Sequence, residues 1–133
     1  MLIEPASEHD VDIMRKIDLS RAEKEIAAIK RDDMKNGMSN QYVDFWSKRP
    51  LPDYPQIADI PVTVIASVKK YENPSVLFFT DKGREMWGEL HANWANAFPQ
   101  GETVLTGKSY HYPQNDEPRM VNAQIQKLLK RTH

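Results

Sequence analysis

The chain of 133 residues is long enough for one domain and too short for two of ordinary size. Its formal net charge is -1, from 18 Lys and Arg against 19 Asp and Glu, so there is no electrostatic case for a nucleic-acid or anionic-membrane partner. Cysteine is absent, which excludes disulfide bonds, a thiol nucleophile and cysteine-based metal centres.

No apolar run approaches the length of a membrane span, and the N-terminus lacks a basic segment followed by an apolar stretch. We therefore expect a cytoplasmic protein without a signal peptide. His9, His91 and His133 have no histidine four residues away and no matching carboxylates, so we expect no metal site.

The first half of the chain predicts one short strand and one long helix. Met1-Leu2-Ile3 is typical of the end of a strand and is interrupted by Glu4-Pro5. Ser20 with Glu23 fits a capping box at the start of a helix, and Asn36-Gly37 ends that helix. The apolar residues of this helix fall on one face: Ala22, Ile26 and Ile29.

The middle of the chain predicts a connector. A short helix is expected around residues 42–47, and its aromatic side chains are expected to pack against the rest of the protein. The segment 49–55 contains three prolines, each of which fixes φ and removes a hydrogen-bond donor. We therefore predict an extended link between two halves.

The second half alternates strands and helices. Pro61–Ser67 is β-branched and nearly all apolar, which favours a strand buried on both faces. Thr80 or Asp81 can cap a helix that ends at Pro99-Gln100-Gly101, and Thr103–Thr106 is typical of a further short strand. The predicted apolar face of the helix comprises Met86, Trp87, Leu90, Trp94 and Phe98.

The C-terminal part predicts a loop over residues 107–115 and a last helix. We expect Asp116 to cap this helix, with Pro118 in its first turn. Its predicted inner face comprises Val121, Ile125, Leu128 and Leu129. Strands that alternate with helices indicate an α/β fold with parallel strands.

The segment Ser109-Tyr110-His111 lies between the last strand and the last amphipathic helix. It resembles the C-terminal end of α/β-hydrolase-fold proteins, in which the catalytic histidine lies on that loop. Ile60–Ile65 resembles the penultimate strand of the family, Trp87–Gly101 the helix before the final strand, and Leu2–Pro5 the end of the strand before the cap.

The resemblance covers essentially the whole chain. It implies a partial three-layer fold with a short, mainly parallel sheet of about three strands and helices on its faces. It also implies that the chain is a single partial domain. A helical cap-like segment occupies residues 5–55 in that arrangement, and the C-terminal core occupies residues 60–133.

The resemblance implies that His111 is a general base, which moves a proton between a nucleophile and a leaving group. It also implies a carboxylate on the other ring nitrogen, and hydrolysis through a covalent intermediate that needs no cofactor or metal. The region after the penultimate strand, where the family often has this acid, reads Ser67-Val68-Lys69-Lys70. Some members place the acid after the strand before the cap, and Glu4 falls there; Glu72 and Asp81 are lower-ranked substitutes.

The sequence departs from the family in its missing front half. A complete domain is roughly twice this length. No Gly-x-Ser-x-Gly nucleophile elbow is present, because Gly37-Met38-Ser39-Asn40 lacks the second glycine and follows no strand. We therefore expect the C-terminal half of a hydrolase of the serine or a related type, which acts on an ester or similar small molecule and is inactive alone.

Other interpretations stay open. The chain can be one part of a split hydrolase that needs a partner chain, or a non-catalytic binding or scaffold protein. It can also be a small free-standing α/β domain. In a half domain the first strand lacks a neighbour, so we expect self-association or pairing with a complementary N-terminal half at that edge.

Overall fold

A computed structural model describes residues 1–7, 9–37 and 59–131. The short helix predicted around residues 42–47 and the connector at 49–55 lie outside these residues. The strands are β1 (Leu2–Ile3), β2 (Val62–Ser67) and β3 (Gly101–Thr106). The helices are α1 (Asp10–Ile17), α2 (Leu19–Lys35), α3 (Asp81–Asn96), α4 (Pro113–Asp116) and α5 (Pro118–Arg131), and a 3-10 turn occupies Leu77–Phe79.

The chain divides into two compact units. The first, here called the sheet unit, contains Met1–Pro5, Pro55–Lys70 and Arg84–His133. The second, here called the helical unit, contains Ala6–Tyr54 and Tyr71–Gly83. The expectation of one partial domain with a cap-like segment at residues 5–55 stays a prediction.

The sheet unit is built on a small parallel sheet, so the α/β class is confirmed. The strand order is β1-β2-β3, and both neighbouring pairs are parallel. All six residues of β2 are buried, as expected for a central strand with apolar β-branched side chains on both faces. Two residue pairs join β1 to β2, Leu2 with Val64 and Ile3 with Ile65.

Helices α3 and α5 pack on opposite faces of the sheet. Alternate residues of β3 point to opposite faces. The Leu105 side chain lies against Gly88 of α3, where a methyl group would come within 3.3 Å of it. Glu102, on the other face, pairs with Lys127 and Arg131 of α5.

Helices α1 and α2 form the core of the helical unit together with the 3-10 turn. The buried side chains of this core are Val11, Met14, Ala22, Ile26 and Leu77. The carboxylate of Glu25 accepts a hydrogen bond of 2.8 Å from the Leu77 backbone N–H. This contact attaches the 3-10 turn to α2.

Two predicted helix starts are wrong. Asp18, not Ser20, caps α2, because its side chain accepts a 2.9 Å hydrogen bond from the Arg21 N–H while α1 ends directly before it. Asp116 ends α4, and the Glu117 carbonyl accepts the first hydrogen bond of α5 from Val121. Thr80 does cap α3, through a 3.1 Å bond from the Gly83 N–H.

The predicted inner faces of α3 and α5 are partly wrong. Trp94 is 43% exposed and packs its ring on Phe98, and Ile125 and Leu129 are also exposed. The side of α3 that faces the sheet contains Gly88 and Ala95. Its buried residues follow that register: Gly83, Arg84, Trp87, Gly88, His91 and Ala95.

Candidate functional site

Polar side chains gather at the carboxyl edge of the parallel sheet, where sites in α/β folds are found. Glu4 directly follows β1, Ser67 ends β2 and Thr106 ends β3. His111 lies in the loop between β3 and α4. The topology thus brings the two residues singled out from the sequence, Glu4 and His111, to the same edge.

Glu4 is held in an unusual backbone position. Its φ is 47°, the left-handed region that non-glycine residues seldom adopt. Its backbone N–H donates a 2.8 Å hydrogen bond to the Ile65 carbonyl, and its side-chain Oε1 accepts from the Ser67 N–H. The Glu4 side chain is only 6% exposed. A strained backbone persists only where the surrounding contacts hold it in place, and such residues cluster at functional sites.

The His111 ring lies beside the Glu4 carboxylate. The distance from Nδ1 to Oε2 is 3.7 Å, which is ion-pair proximity and longer than a formed hydrogen bond. The His111 side chain is 64% exposed, and its ring meets that of Tyr112 edge-on. Because Nδ1 faces Glu4, Nε2 is the ring atom left for proton transfer to another molecule or chain.

Ser67 connects several parts of the site. Its N–H donates to Glu4, and its hydroxyl donates a 2.5 Å hydrogen bond to the Ser109 carbonyl. The hydroxyl oxygen also accepts a 3.2 Å bond from the Lys69 N–H. One buried residue at the end of β2 thereby links the carboxylate after β1 to the loop that carries His111.

Glu117 holds the other side of this loop. Its Oε2 accepts hydrogen bonds from the Thr106 hydroxyl and from the Ser109 hydroxyl, the latter at 2.7 Å. These bonds, first from Thr106 and then from Ser109, lower the pKa of the Glu117 carboxyl below its ordinary value. Ser109 is fully buried, so the loop is fixed two residues before His111.

Lys69 occupies the region where the family often has its acid. Its Nζ donates a 3.0 Å hydrogen bond to the Lys108 carbonyl and lies 3.8 Å from the centre of the Tyr110 ring. A cation cannot accept from an imidazole N–H, so this side chain cannot serve as the acid that the resemblance implies. Glu72 and Asp81, the lower-ranked substitutes, lie in the helical unit.

The sequence interpretation missed Arg84. Its side chain is 4% exposed, and its Nη2 donates to the Ser67 carbonyl and lies 3.8 Å from Glu4 Oε2. A signal for it existed, because Arg84 is in helical phase with Trp87 and His91, both of which are buried. A charged residue in phase with a buried face indicates a buried partner of opposite charge.

Among residues 1–7, 9–37 and 59–131 there is no group of three His, Asp or Glu side chains that could hold a metal ion. None of the helices in these ranges is long and apolar enough to cross a membrane.

Comparison of the chain with protein-family models, with curated proteins and with solved structures finds no match. The catalytic roles of Glu4 and His111 and the α/β-hydrolase assignment therefore stay predictions.

Proposed function

We propose that the chain carries the acid and base of a hydrolytic site of the α/β-hydrolase type, with Glu4 as the orienting acid and His111 as the general base. The observation that carries this proposal is the 3.7 Å approach of Glu4 Oε2 to His111 Nδ1 at the carboxyl edge of a parallel sheet. The substrate is an ester or a similar small molecule. The nucleophile and the oxyanion donors come from outside these 133 residues.

The proposed chemistry needs no metal. His111 Nε2 takes the proton of the nucleophile's hydroxyl as its oxygen bonds to the ester carbonyl carbon. The proton then passes to the oxygen of the leaving alcohol as the carbon–oxygen bond breaks. Water repeats the two steps, which releases the acid and restores the nucleophile. Glu4 keeps the other ring proton on Nδ1 throughout and orients the ring.

The dyad can be tested on the chain itself, through the tautomer of His111. Because Oε2 of Glu4 faces Nδ1, we expect the Nδ1–H tautomer to dominate at about pH 8.5, above the ordinary titration range of imidazole. Two-bond proton–nitrogen correlation spectra distinguish the two tautomers. In Glu4→Gln an amide N–H can face Nδ1, so the population should move to the Nε2–H tautomer.

The matched control is Glu102→Gln, which removes a carboxylate that pairs with Lys127 and Arg131 instead. It should leave the tautomer of His111 unchanged. Equal tautomer populations in wild type and Glu4→Gln would show that the two residues do not act as a pair.

Ester hydrolysis by the isolated chain is expected to be negligible. A general base without a nucleophile and oxyanion donors has little to activate. With a p-nitrophenyl ester of a short acid, the rates of wild type and His111→Ala should agree within about twofold, which is far below the 10²–10⁴ that general-base catalysis contributes. Clear turnover that disappears in His111→Ala would mean that the chain supplies its own nucleophile.

The outer edge of β1 indicates a second function, which is association with another polypeptide chain. Among the described residues β1 pairs with β2 on one side, and Leu2 is 40% exposed. We propose that this edge receives a strand of a complementary N-terminal half, and that a second copy of the chain takes its place when that half is absent. Sedimentation velocity should then show dimers for wild type.

The substitution Leu2→Lys places a charge at this edge and should return the protein to monomers. Leu19→Lys changes another exposed leucine, in the helical unit, and should leave the dimer intact. A wild-type protein that is monomeric at all concentrations measured would argue against pairing between copies.

A further inference from the structure

Arg84 occupies a position that is electrostatically unfavourable unless a partner compensates it. It is buried, and it lies one turn from the N-terminus of α3, where the helix dipole disfavours a cation. The guanidinium lies 5.5 Å from the centre of the Trp87 ring, and its charge lowers the pKa of His91. The Glu4 carboxylate is an anion that lies beside it, with Oε2 3.8 Å from Nη2.

The Glu4 carboxylate is held at both oxygens. Oε1 accepts from the Ser67 N–H, whereas Oε2 lies 3.8 Å from Arg84 Nη2 and 3.7 Å from His111 Nδ1. The same Nη2 atom donates to the Ser67 carbonyl. Arg84 therefore contacts the residue that binds one oxygen of Glu4 and also lies beside the other oxygen, the one that faces His111.

We propose that Arg84 is the positioning residue of the site, which fixes the Glu4 carboxylate toward Nδ1 of His111. This inference rests on the proposed function, because it assigns Arg84 a part in orienting the same base. Without the guanidinium, a carboxylate that is 6% exposed would lose the cation beside Oε2, and its buried charge would be less well compensated. It would then turn toward water, and His111 would lose its acceptor.

The tautomer of His111 at about pH 8.5 tests this role. We expect Arg84→Met to lower the ratio of Nδ1–H to Nε2–H by about threefold or more, the scale of one weak polar interaction. Arg84→Lys keeps the charge but its shorter side chain does not reach both Ser67 and Glu4, so we expect a smaller decrease. If Arg84→Met does not fold, Arg84→Lys decides: a ratio below that of wild type supports the proposal, and an unchanged ratio overturns it.

A variant in the hydrophobic core distinguishes a positioning role of Arg84 from a purely structural one. Val121→Ala removes a buried side chain of α5 and should lower stability without moving the tautomer ratio. A wild-type ratio in folded Arg84→Met overturns the role of Arg84 while leaving the dyad intact, provided that Glu4→Gln shifts the ratio. If Glu4→Gln itself leaves the ratio unchanged, the dyad fails and the role of Arg84 falls with it.

Discussion

Lowering the pH from about 7 to about 5 is expected to reduce the free energy of unfolding by about 2 kcal/mol through His91 alone. His91 is buried on α3 with its ring edge-on to Trp87, 4.0 Å between centroids. Burial, and then the charge of Arg84, lower its pKa from 6.5 to about 4. Its Nε2 has no hydrogen-bond partner among the described residues.

Stability decreases at lower pH because the unfolded chain takes up a proton more readily than the folded protein. Between pH 6.5 and pH 4 His91 is protonated in the unfolded chain and neutral in the folded protein. The contribution of His91 to the free energy of unfolding is therefore fully present above pH 6.5 and is lost as the pH decreases. Over the whole window the loss approaches about 3 kcal/mol. Urea unfolding at pH values from about 7 to 5 measures it, above the range in which protonation of Glu117 contributes.

The substitution His91→Phe keeps an aromatic ring against Trp87 and removes the titrating group. We expect its stability to lose this dependence on pH between about 7 and 5. His9→Gln, which changes an exposed histidine of the helical unit, is the matched control and should retain the dependence. An equally steep decrease in His91→Phe would assign the effect to other groups.

Replacement of Gly101 by alanine is expected to destabilise the protein by about 3 kcal/mol or more, at or above the upper end of ordinary overpacking. A Cβ atom at this position would lie 1.7 Å from the Ala95 carbonyl oxygen and 2.7 Å from its carbon. Both are backbone atoms of α3, so no side chain can move aside. The end of α3 and the start of β3 would have to separate.

Gly107→Ala provides the control, because a Cβ atom there meets nothing within 4 Å. Its effect should lie within about 0.5 kcal/mol of zero or be slightly stabilising, through the lower entropy of the unfolded chain. Thermal unfolding of the two variants, followed by circular dichroism, gives the comparison. Similar stabilities for both would mean that the turn between α3 and β3 relaxes easily.

Local signals in the sequence predicted the elements whose structure depends on neighbours along the chain. The β-branched run at Val62–Ser67 is the buried central strand. Gly37 has a φ of 67°, which is the left-handed position expected after a helix end. The cap at Thr80 is likewise determined by contacts within one turn.

Features that depend on distant contacts were not predictable in this way. When a helix has apolar residues on several faces, its sequence does not show which face packs on the sheet. The predicted inner face of α3 is therefore wrong at Trp94, which is exposed. Arg84 was overlooked because a charged side chain is ordinarily exposed. The carboxylate of Glu4, which lies beside it, comes 80 positions earlier in the chain. Glu4 and His111 were singled out through a resemblance, not through any local rule.

The shortness of β1 affects the fraction of molecules in which Glu4 lies beside His111. Strands held by few hydrogen bonds open locally at a free energy well below that of global unfolding. Only two residue pairs join β1 to β2, and Glu4 follows them directly. We therefore expect the amide proton of Glu4, which bonds to the Ile65 carbonyl, to exchange with solvent faster than that of Val64, which lies on the β3 side of the central strand. Only the fraction of molecules with β1 closed would present the carboxylate to His111, so a partner strand that clamps β1 would raise that fraction.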